Sequence, residues 1–392
     1  MKRAAGTHFE YHLLVLVTLG LVAFGLVMVY SASSARALLS SDAPSYYLKR
    51  QAVYALMGLI ALVVFSRFDF HRLRHATDPL LATTFILLVA VLVIGTAVNG
   101  ARRWIPIGFM NFQPSELAKL ALCLWVAALL ARRPAPRTLG ELMKPIGVVV
   151  GSACALILVE PDLGTAIAIA IMVSAILVVS GTRLRLLGSA AGIAVTLVLA
   201  AIWFEPYRRE RIFSFLDPWH DPQGAGFQAV QSMIALGSGG VFGVGLGESV
   251  QKIYYLPEAS TDMIYAIVGE ELGLIGAVGV IVAFAVFAYA GFNIALNCRD
   301  PFGKRVAVGI TALICGQAAV NVSAVMGLAP LTGIPLPFVS YGGSSLVVGL
   351  AAVGILLNIA SNHAVVRETE VPDRGRRNRR ARATGTRRRR VA

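Results

Sequence analysis

The stretch Leu13-Leu-Val-Leu-Val-Thr-Leu-Gly-Leu-Val-Ala-Phe-Gly-Leu-Val-Met-Val-Tyr-Ser-Ala32 decides the fold class of this chain. A helix needs about 20 predominantly apolar residues to cross the hydrocarbon layer of a membrane, and this stretch supplies them without a charged side chain. Similar runs recur along the chain, whereas the strands of a membrane β-barrel would alternate between apolar and polar residues. We therefore expect an all-α, polytopic membrane protein.

The composition of the whole chain agrees with that expectation. Of its 392 residues, 57% are hydrophobic and only 14% are charged, against about 25% charged residues in an ordinary soluble domain. Too few polar residues remain to cover a soluble core, which excludes a soluble globular enzyme, a disordered chain and a secreted disulfide scaffold. The four cysteines are scattered singly and the six histidines lack metal-ligand spacing, so no disulfide or metal framework is expected.

The apolar runs predict ten membrane-spanning helices and one large loop. The loop covers residues 205–262, between the seventh and eighth spans, and its stretch Phe227–Leu236 fits a short helix on the surface. Residues 1–362 then form one membrane domain, and residues 363–392 form an Arg-rich tail. The predicted spans are 13–32, 51–66, 80–97, 115–131, 145–159, 164–180, 186–204, 263–293, 306–328 and 344–361.

The placement of Lys and Arg orients these spans, because the cytoplasmic connections of a membrane protein carry an excess of both residues. Basic residues precede the first span, occur in every second connection and follow the tenth span. This pattern places both termini in the cytoplasm and residues 205–262 on the opposite side. Two basic pairs, Lys49-Arg50 and Arg102-Arg103, lie on that opposite side against the rule, either for a specific role or as contacts to lipid headgroups.

The tail is the most strongly charged part of the chain. It contains eleven Arg and three acidic residues, so it supplies +8 of the formal net charge of +14. High charge with few apolar residues predicts disorder. Beside a bilayer, each Arg contributes about 1 kcal/mol of attraction to anionic lipid, so we expect the tail to contact anionic membrane lipids rather than nucleic acid.

Four polar clusters lie in or beside the apolar spans, where an ionisable side chain is costly and is therefore a candidate site residue. The first is Gln113-Pro-Ser-Glu-Leu-Ala-Lys119, at the start of the fourth span. Glu116 and Lys119 are three residues apart and share a helix face, so they form either a structural ion pair or the wall of a cavity for an anionic ligand. The preceding run Arg102-Arg-Trp104 adds two cations and an interfacial aromatic ring.

The second and fourth clusters are Glu160-Pro-Asp-Leu-Gly-Thr165 and the uncharged run Pro330-Leu-Thr-Gly-Ile-Pro-Leu-Pro-Phe-Val-Ser-Tyr-Gly-Gly-Ser-Ser345. In the second cluster, Asp162 either caps the following helix or belongs to a site. In the fourth, proline and glycine break the helix. Irregular backbone at membrane depth is tolerated where it is buried in protein or lines a cavity, so Ser340 and Tyr341 belong either to re-entrant packing or to a ligand site.

The third cluster, Leu256–Tyr265, contains the strongest candidate for a catalytic group. Asp262 lies where the large loop turns into the eighth span, and we expect Glu258, Glu270 and Glu271 to surround it. A carboxylate that is crowded by others and partly desolvated has a raised pKa and can act as a base. The alternative is that Asp262 caps the helix.

Together these motifs resemble the SEDS family (shape, elongation, division, sporulation) of polytopic bacterial cell-wall glycosyltransferases. The resemblance extends over nearly the whole chain up to about residue 362. Met28-Val-Tyr-Ser-Ala-Ser33, Tyr46-Tyr-Leu-Lys-Arg-Gln51 and the basic tail are more similar to the division members than to the elongation members. The motifs that carry the family resemblance are Tyr30-Ser-Ala-Ser33, Gln113–Lys119, Glu160-Pro-Asp-Leu-Gly-Thr-Ala166, Leu256-Pro-Glu-Ala-Ser-Thr-Asp262, Gly269-Glu-Glu-Leu-Gly273 and Pro335–Ser345.

The resemblance implies that the protein polymerises lipid II into glycan strands at the outer face of the bacterial plasma membrane, at the division septum. The family's essential acid falls on Asp262. Two departures lie near the expected cavity mouth, namely Ser260, where many relatives have His, and Asn111, where some have a basic residue. The family's other important polar positions fall on Trp104, Glu116, Lys119, Asp162 and Glu258.

The implied reaction suggests a role for each candidate. Asp262 takes a proton from the acceptor sugar as its hydroxyl attacks the donor's anomeric carbon, and a single base with in-line displacement implies inversion. Lys119, Arg102 and Arg103 are candidates to offset the pyrophosphate charge, and a divalent cation (Mg²⁺ or Mn²⁺) could act between phosphates and carboxylates.

The implied partners are lipid II, a class B penicillin-binding transpeptidase and other division proteins. Two alternatives stay open at the level of the sequence. One is a lipid II flippase that uses the same polar cavity, because transporters also combine buried polar groups with broken helices. The other is a scaffold whose tail and loops recruit division proteins.

Overall fold

The structure is a computed structural model that describes residues 4–39, 44–98, 101–108, 110–203, 209, 213–253 and 255–369. Within these ranges the chain forms a bundle of α-helices with one small β-sheet. A π-helical segment, Met143–Gly147, joins two of the helices. The helices are α1 (Ala4–Leu39), α2 (Tyr46–Arg67), α3 (Phe70–Ile94), α4 (Pro114–Arg132), α5 (Leu139–Leu142), α6 (Val148–Val159), α7 (Leu163–Val179), α8 (Leu184–Trp203), α9 (Phe227–Ser238), α10 (Ile264–Asn297), α11 (Pro301–Val325) and α12 (Gly343–Thr369).

Eight helical segments of the described chain are long and apolar enough to cross a membrane: α1 to α4, the continuous segment from α5 to α6, α10, α11 and α12. Two shorter apolar helices, Leu163–Val179 and Leu184–Thr196, lie at the predicted sixth and seventh spans. The prediction of an all-α, polytopic membrane protein is therefore confirmed. The large loop lies between α8 and α10, and it contains the predicted short helix as α9.

Helices α4, α11 and α12 form the centre of the bundle. In these three helices 72–78% of the most apolar stretch of 18 residues is buried inside the protein. In α2 and in the α5–α6 segment only 22% of the corresponding stretch is buried. The peripheral helices therefore turn apolar side chains outward, as is expected where lipid replaces water as the solvent. Helix α12 packs chiefly on α2, and α10 packs on α1 and α11.

A small antiparallel sheet connects α3 to α4, in a segment that the sequence analysis treated as a loop. Its strands are β1 (Thr96–Val98), β2 (Ala101–Ile107) and β3 (Met110–Phe112), in the order β1-β2-β3. The predicted third span, 80–97, therefore ends too late, because α3 ends at Ile94. The sheet covers one end of the bundle beside α4.

Helix α10 is interrupted at Gly273, where φ is +65° and ψ is −160°. The Gly-rich run 237–247 fills the interruption and pairs with the backbone groups on both sides of it. A break of this kind is tolerated at membrane depth because another segment satisfies the free groups. The N–H groups of Val244 and Gly245 donate to the carbonyls of Glu270 and Glu271, and those of Leu274 and Ile275 donate to the carbonyls of Gly240 and Val241.

The end of the membrane domain differs from the prediction. Helix α12 continues to Thr369, so residues 363–369 are helical where the sequence predicted a disordered tail from residue 363. The remaining part of the predicted tail, 370–392, lies outside the described residues.

Candidate functional site

The irregular segment between α11 and α12 brings the polar clusters of the sequence together. Its Ser340 hydroxyl donates to the Thr261 carbonyl over 2.6 Å and accepts the Leu336 N–H over 2.8 Å. The neighbouring Tyr341 N–H donates to the Ser260 carbonyl over 2.9 Å. Ser340 is buried and its hydroxyl is used in these bonds. It therefore positions the Asp262 turn and has no hydroxyl proton left for a ligand.

The same segment reaches the start of α4. The Ser344 hydroxyl donates to the Asn111 carbonyl over 2.9 Å and accepts the Gln113 N–H over 3.0 Å. At Gly164, in the first turn of α7, an added Cβ would overlap the Ile334 side chain. The four clusters therefore meet around residues 332–345, although they are far apart in the sequence.

Asp262 closes a tight turn that starts at Glu258. The Glu258 carbonyl accepts the N–H of Thr261 over 3.0 Å and that of Met263 over 3.3 Å. From α11, the Asn321 amide donates to the Asp262 carbonyl over 2.7 Å and also to the Ile334 carbonyl over 2.8 Å. The backbone around Asp262 is thus held by Asn321 and by the Glu258 carbonyl, which positions the turn that carries its side chain.

The Asp262 carboxylate is half-buried and lies close to Glu258, as the sequence predicted. The Thr261 hydroxyl lies between the two acids, 2.8 Å from Glu258 Oε2 and 3.3 Å from Asp262 Oδ1. On the other side, a Cβ added to Gly333 would stand 3.9 Å from Asp262 Oδ2. A half-buried carboxylate beside a second acid can take a proton from a bound hydroxyl.

Glu270 and Glu271 do not crowd Asp262, so that expectation was wrong. They lie about eight residues further along the chain, which corresponds to about 12 Å along a helix. Both are buried, and their carboxylates bind the large loop. Glu270 accepts hydrogen bonds from the Ser249 hydroxyl and from the Val250 N–H, the latter over 3.0 Å.

A second buried ion pair, which the sequence analysis missed, joins the large loop to α1 and α10. Lys252 Nζ lies 2.8 Å from Glu271 Oε1 and donates to the Gly247 carbonyl over 2.6 Å. The Ser31 hydroxyl donates to the same carboxylate over 2.7 Å. A single Lys in an apolar, Gly-rich run was the available signal, because a buried Lys requires an acidic partner.

Glu116 and Lys119 form the predicted pair, with Lys119 Nζ 2.7 Å from Glu116 Oε1 and both side chains buried. Beside them lies a cavity of about 30 Å³ between α4, α11 and residues 335–352. One water needs about 10–15 Å³, so this cavity has room for about two waters and none for a diphosphate. The geometry therefore favours the structural ion pair over a ligand site.

Asp162 and Arg103 also hold structure together. Asp162 caps α7 by accepting the N–H and the hydroxyl of Thr165 over 3.0 and 2.9 Å, and it lies 3.3 Å from the Gln113 amide. Arg103 donates to the carbonyls of Glu160, over 2.7 Å, and Pro161. The cap that the sequence offered as one alternative for Asp162 is present.

The remaining two candidates lie on β2. Arg102 is exposed, and its guanidinium lies 3.5 Å from the Leu92 carbonyl. Trp104 is half-buried opposite Thr96 of β1, whose hydroxyl donates to the Trp104 carbonyl over 3.3 Å. Of the three cations proposed for the pyrophosphate, Arg102 is therefore the one that is open to solvent.

Glu160 is buried beside the Asp162 cap, and neither carboxylate oxygen has a hydrogen-bond partner among the described residues. Burial, and then the charge of Asp162, raise the pKa of Glu160 to about 8, although Arg103 acts in the opposite direction. Since the pKa in the folded protein lies above the ordinary value of 4.5, folding favours the protonated acid. Its contribution to stability is complete below pH 4.5 and is lost as the pH rises towards 8.

We therefore expect Glu160→Gln to remove part of the alkaline loss of stability. The melting temperature of the variant should exceed that of the wild type by an amount that grows between pH 5 and pH 9. The same series with Asp217→Asn, which changes an exposed acid outside the membrane spans, serves as the control. Parallel pH profiles for Glu160→Gln and the wild type would contradict the prediction.

A cavity of about 520 Å³ opens beside the Asp262 turn. Its walls come from the large loop, α9 and the end of α11, and they include Leu331 and Pro257, the residue before Glu258. The volume is typical of a ligand pocket, for which about 300–1,000 Å³ is usual. The cavity wall therefore reaches Pro257, at the start of the turn that carries Asp262, although Asp262 and Glu258 themselves do not line it.

Aromatic rings and a few polar side chains both line this cavity. Phe215, Trp219 and Phe227 supply rings, and Gln228 supplies an amide. Ring faces combined with a few hydrogen-bonding groups suit a ligand with apolar faces and polar edges, such as a sugar. The sequence analysis did not single out these residues, although aromatic side chains in a Gly- and Pro-rich loop were the available signal.

Comparison with known proteins decides the family. The chain matches the family described as "Cell cycle protein", which comprises FtsW, RodA and SpoVE, over residues 11–364. The chain belongs to this family. The "Probable peptidoglycan glycosyltransferase FtsW" of Trichlorobacter lovleyi is 43% identical over 90% of this chain and 93% of the relative. "Stage V sporulation protein E" of Bacillus subtilis is 42% identical over 89% of this chain and 96% of the relative.

Solved structures of this family have the same fold. A chain from a peptidoglycan synthase complex that coordinates polymerization and crosslinking is 33% identical, with a TM-score of 0.74, over 89% of this chain and 97% of that chain. The rod shape determining protein RodA of Thermus thermophilus is 28% identical, with a TM-score of 0.65, over 89% of this chain and 96% of that chain. The SEDS resemblance and the glycosyltransferase activity inferred from it are confirmed by these comparisons.

Proposed function

We propose that this FtsW/RodA/SpoVE family member polymerises lipid II into glycan strands and that Asp262 is its general base. The observation that carries the proposal is the position of Asp262: it is half-buried, on a turn whose backbone Asn321 holds and whose neighbour Pro257 lines a cavity of about 520 Å³ with aromatic rings. The relatives named as peptidoglycan glycosyltransferases support the same reaction.

The reaction assigns one proton transfer to the protein. The acceptor hydroxyl oxygen forms a bond to the anomeric carbon of the donor, and the bond from that carbon to the lipid pyrophosphate breaks, its electron pair leaving with the phosphate. Asp262 accepts the hydroxyl proton, and attack opposite the leaving group inverts the configuration. Glu258, which is joined to Asp262 through the Thr261 hydroxyl, helps to orient the base.

The leaving pyrophosphate requires positive charge. Arg102, the exposed cation of β2, is the protein group that we assign to it. Among the described residues, no group of three or more His, Cys, Asp and Glu could hold a metal ion. Mg²⁺ is often held by only one or two carboxylates together with substrate phosphates, and Asp262 and Glu258 are adjacent. Glu258 and Asp262 would hold a divalent cation, Mg²⁺ or Mn²⁺, together with the substrate phosphates, and such a cation would supply Lewis-acid chemistry.

The cellular setting is part of the proposal. The distribution of Lys and Arg supports two cytoplasmic termini in the plasma membrane, and the FtsW relatives support a place at the division septum. The likeness to a chain from a peptidoglycan synthase complex supports a class B transpeptidase as partner. Other division proteins, and anionic lipid at the tail, complete the proposed partners.

Turnover in detergent separates synthesis from the alternatives, because a micelle has no two sides between which a lipid could be flipped. Purified protein should convert lipid II into glycan strands that a gel resolves by length, with the cognate transpeptidase supplied in a parallel reaction. A flippase would make no strands but would move lipid II across the bilayer of proteoliposomes, and a scaffold would do neither. Absence of polymer from folded protein in both reactions would overturn the proposal.

A further inference from the structure

The part of the large loop next to the break in α10 exposes apolar side chains and buries polar ones. In a water-soluble loop, apolar side chains turn inward and polar ones outward. In residues 241–253 the order is reversed at most positions, because Ser249, Gln251 and Lys252 are buried, and Glu248 is the one exposed charged residue. The exposed side chains of the same run include the large apolar residues Val241, Phe242, Val244, Leu246, Val250 and Ile253, which are 42–81% exposed.

The buried side chains of Ser249 and Lys252 have partners inside the protein. Ser249 donates to Glu270, and Lys252 donates to Glu271 and to the Gly247 carbonyl. The loop also lies very close to α10, since a Cβ at Gly243, where φ is +82°, would overlap the Glu271 carbonyl. The apolar side chains therefore point outward from a segment that is held tightly against the helix.

The position of the loop along α10 defines its depth in the membrane. Residues 274–297 would extend about 36 Å as a helix, which is enough to cross a hydrocarbon layer of about 30 Å. The preceding part of α10 is buried in protein, whereas Leu274 and Ile275 are 57% and 59% exposed. The N–H groups of these two residues donate to the carbonyls of Gly240 and Val241. The loop is thus joined to α10 where its lipid-facing surface begins.

We propose that residues 241–253 insert into the bilayer and contact lipid acyl chains at the edge of the hydrocarbon layer. Their exposed apolar side chains continue the surface formed by Leu274, Ile275 and Val278, which is exposed and apolar in the same way. Interfacial segments of this kind bury their apolar side about 5–10 Å into the boundary of headgroups and acyl chains. Lipid is the occupant that explains both the reversed pattern and the continuity with the spanning helix.

Insertion would anchor the loop on which the candidate site is built. The segment lies between α9, which lines the aromatic cavity, and the turn that carries Asp262. The buried pair of Lys252 with Glu271 ties the inserted segment to α10. The inference itself makes no assumption about the reaction, so it stands or falls independently of the proposed function.

Spin labels in proteoliposomes test the insertion. The four native cysteines are replaced by Ala, and single cysteines are placed at Phe242, Leu246 or Val250, with Val278 as the lipid control and Gln223 as the water control. Collision rates are measured with oxygen, which concentrates in hydrocarbon, and with a water-soluble nickel chelate. Labels at the three loop positions should collide several-fold more with oxygen than with the chelate, as at Val278, and the label at Gln223 should do the opposite.

Two results would overturn the inference. Chelate accessibility equal to that at Gln223 would place the segment in water. The labels could instead be accessible to the chelate in the protein alone and lose that accessibility when the transpeptidase is added. That result would assign the surface to a protein partner. Should a labelled variant fail to fold, Phe242→Trp gives the same test through quenching by brominated lipid in excess of the wild-type signal. No excess quenching would again place the segment in water.

Discussion

Asp262→Asn is expected to lower the rate of lipid II polymerisation by about 10²–10⁴-fold, the range typical for loss of a general base, and to leave the fold intact. Asparagine has nearly the same shape but cannot accept the hydroxyl proton. The clamp on the turn should survive the change, because Asn321 bonds to the backbone carbonyl of residue 262 and not to its side chain. The measurements are the initial polymerisation rate at saturating lipid II and the melting temperature of the same preparation.

Asp217→Asn provides the matched control, because Asp217 is an exposed acid of the same large loop. It should polymerise at close to the wild-type rate. A purely structural Asp262 would give the reverse pattern, with a lower melting temperature and activity in proportion to the folded fraction. If the folded Asp262→Asn variant polymerised lipid II at the wild-type rate, Asp262 would not be the general base. Glu258 would then be the next candidate, because Glu116 and Asp162 are engaged in an ion pair and a helix cap.

The sequence was sufficient for the helices because membrane spans are a local property. Any run of about 20 apolar residues has one low-energy solution in a bilayer, a helix with all its backbone hydrogen bonds made internally. The three-stranded sheet was missed because its strands are short and their apolar residues are not strictly alternating. Asn99-Gly100, between Val98 and Ala101, was the available hairpin signal, but the residues before it continue a long apolar run.

The site was harder to predict because its contacts join distant parts of the chain. The sequence placed Asp262 and Glu258 together correctly, since a turn of a few residues fixes that distance. It could not pair Lys252 with Glu271 and Ser31, because that contact requires the path of the whole large loop. The aromatic cavity beside Asp262 depends in the same way on how α9 packs against the end of α11.

Lys119→Met is expected to destabilise the protein by about 3–5 kcal/mol, because removing one partner of a buried ion pair leaves the other charge uncompensated. Glu116 is buried, and Lys119 is its partner at 2.7 Å. Glu116→Gln combined with Lys119→Met removes both charges and should recover most of the lost stability. The measurement is the free energy of unfolding in detergent, from a denaturant series, for the wild type, the single variant and the double variant. Lys49→Met, which removes an exposed charge, is the control and should be close to the wild type.

The double variant also separates the two roles that the sequence left open for Lys119. A structural pair predicts that the recovered stability brings polymerisation back with it. A lysine that binds pyrophosphate predicts recovered stability without recovered rate, since the cation is still missing. The cavity of about 30 Å³ beside the pair is too small for a diphosphate, so we expect both to recover. A stable double variant that does not polymerise lipid II would return Lys119 to the catalytic site and would require the cavity to open when substrate binds.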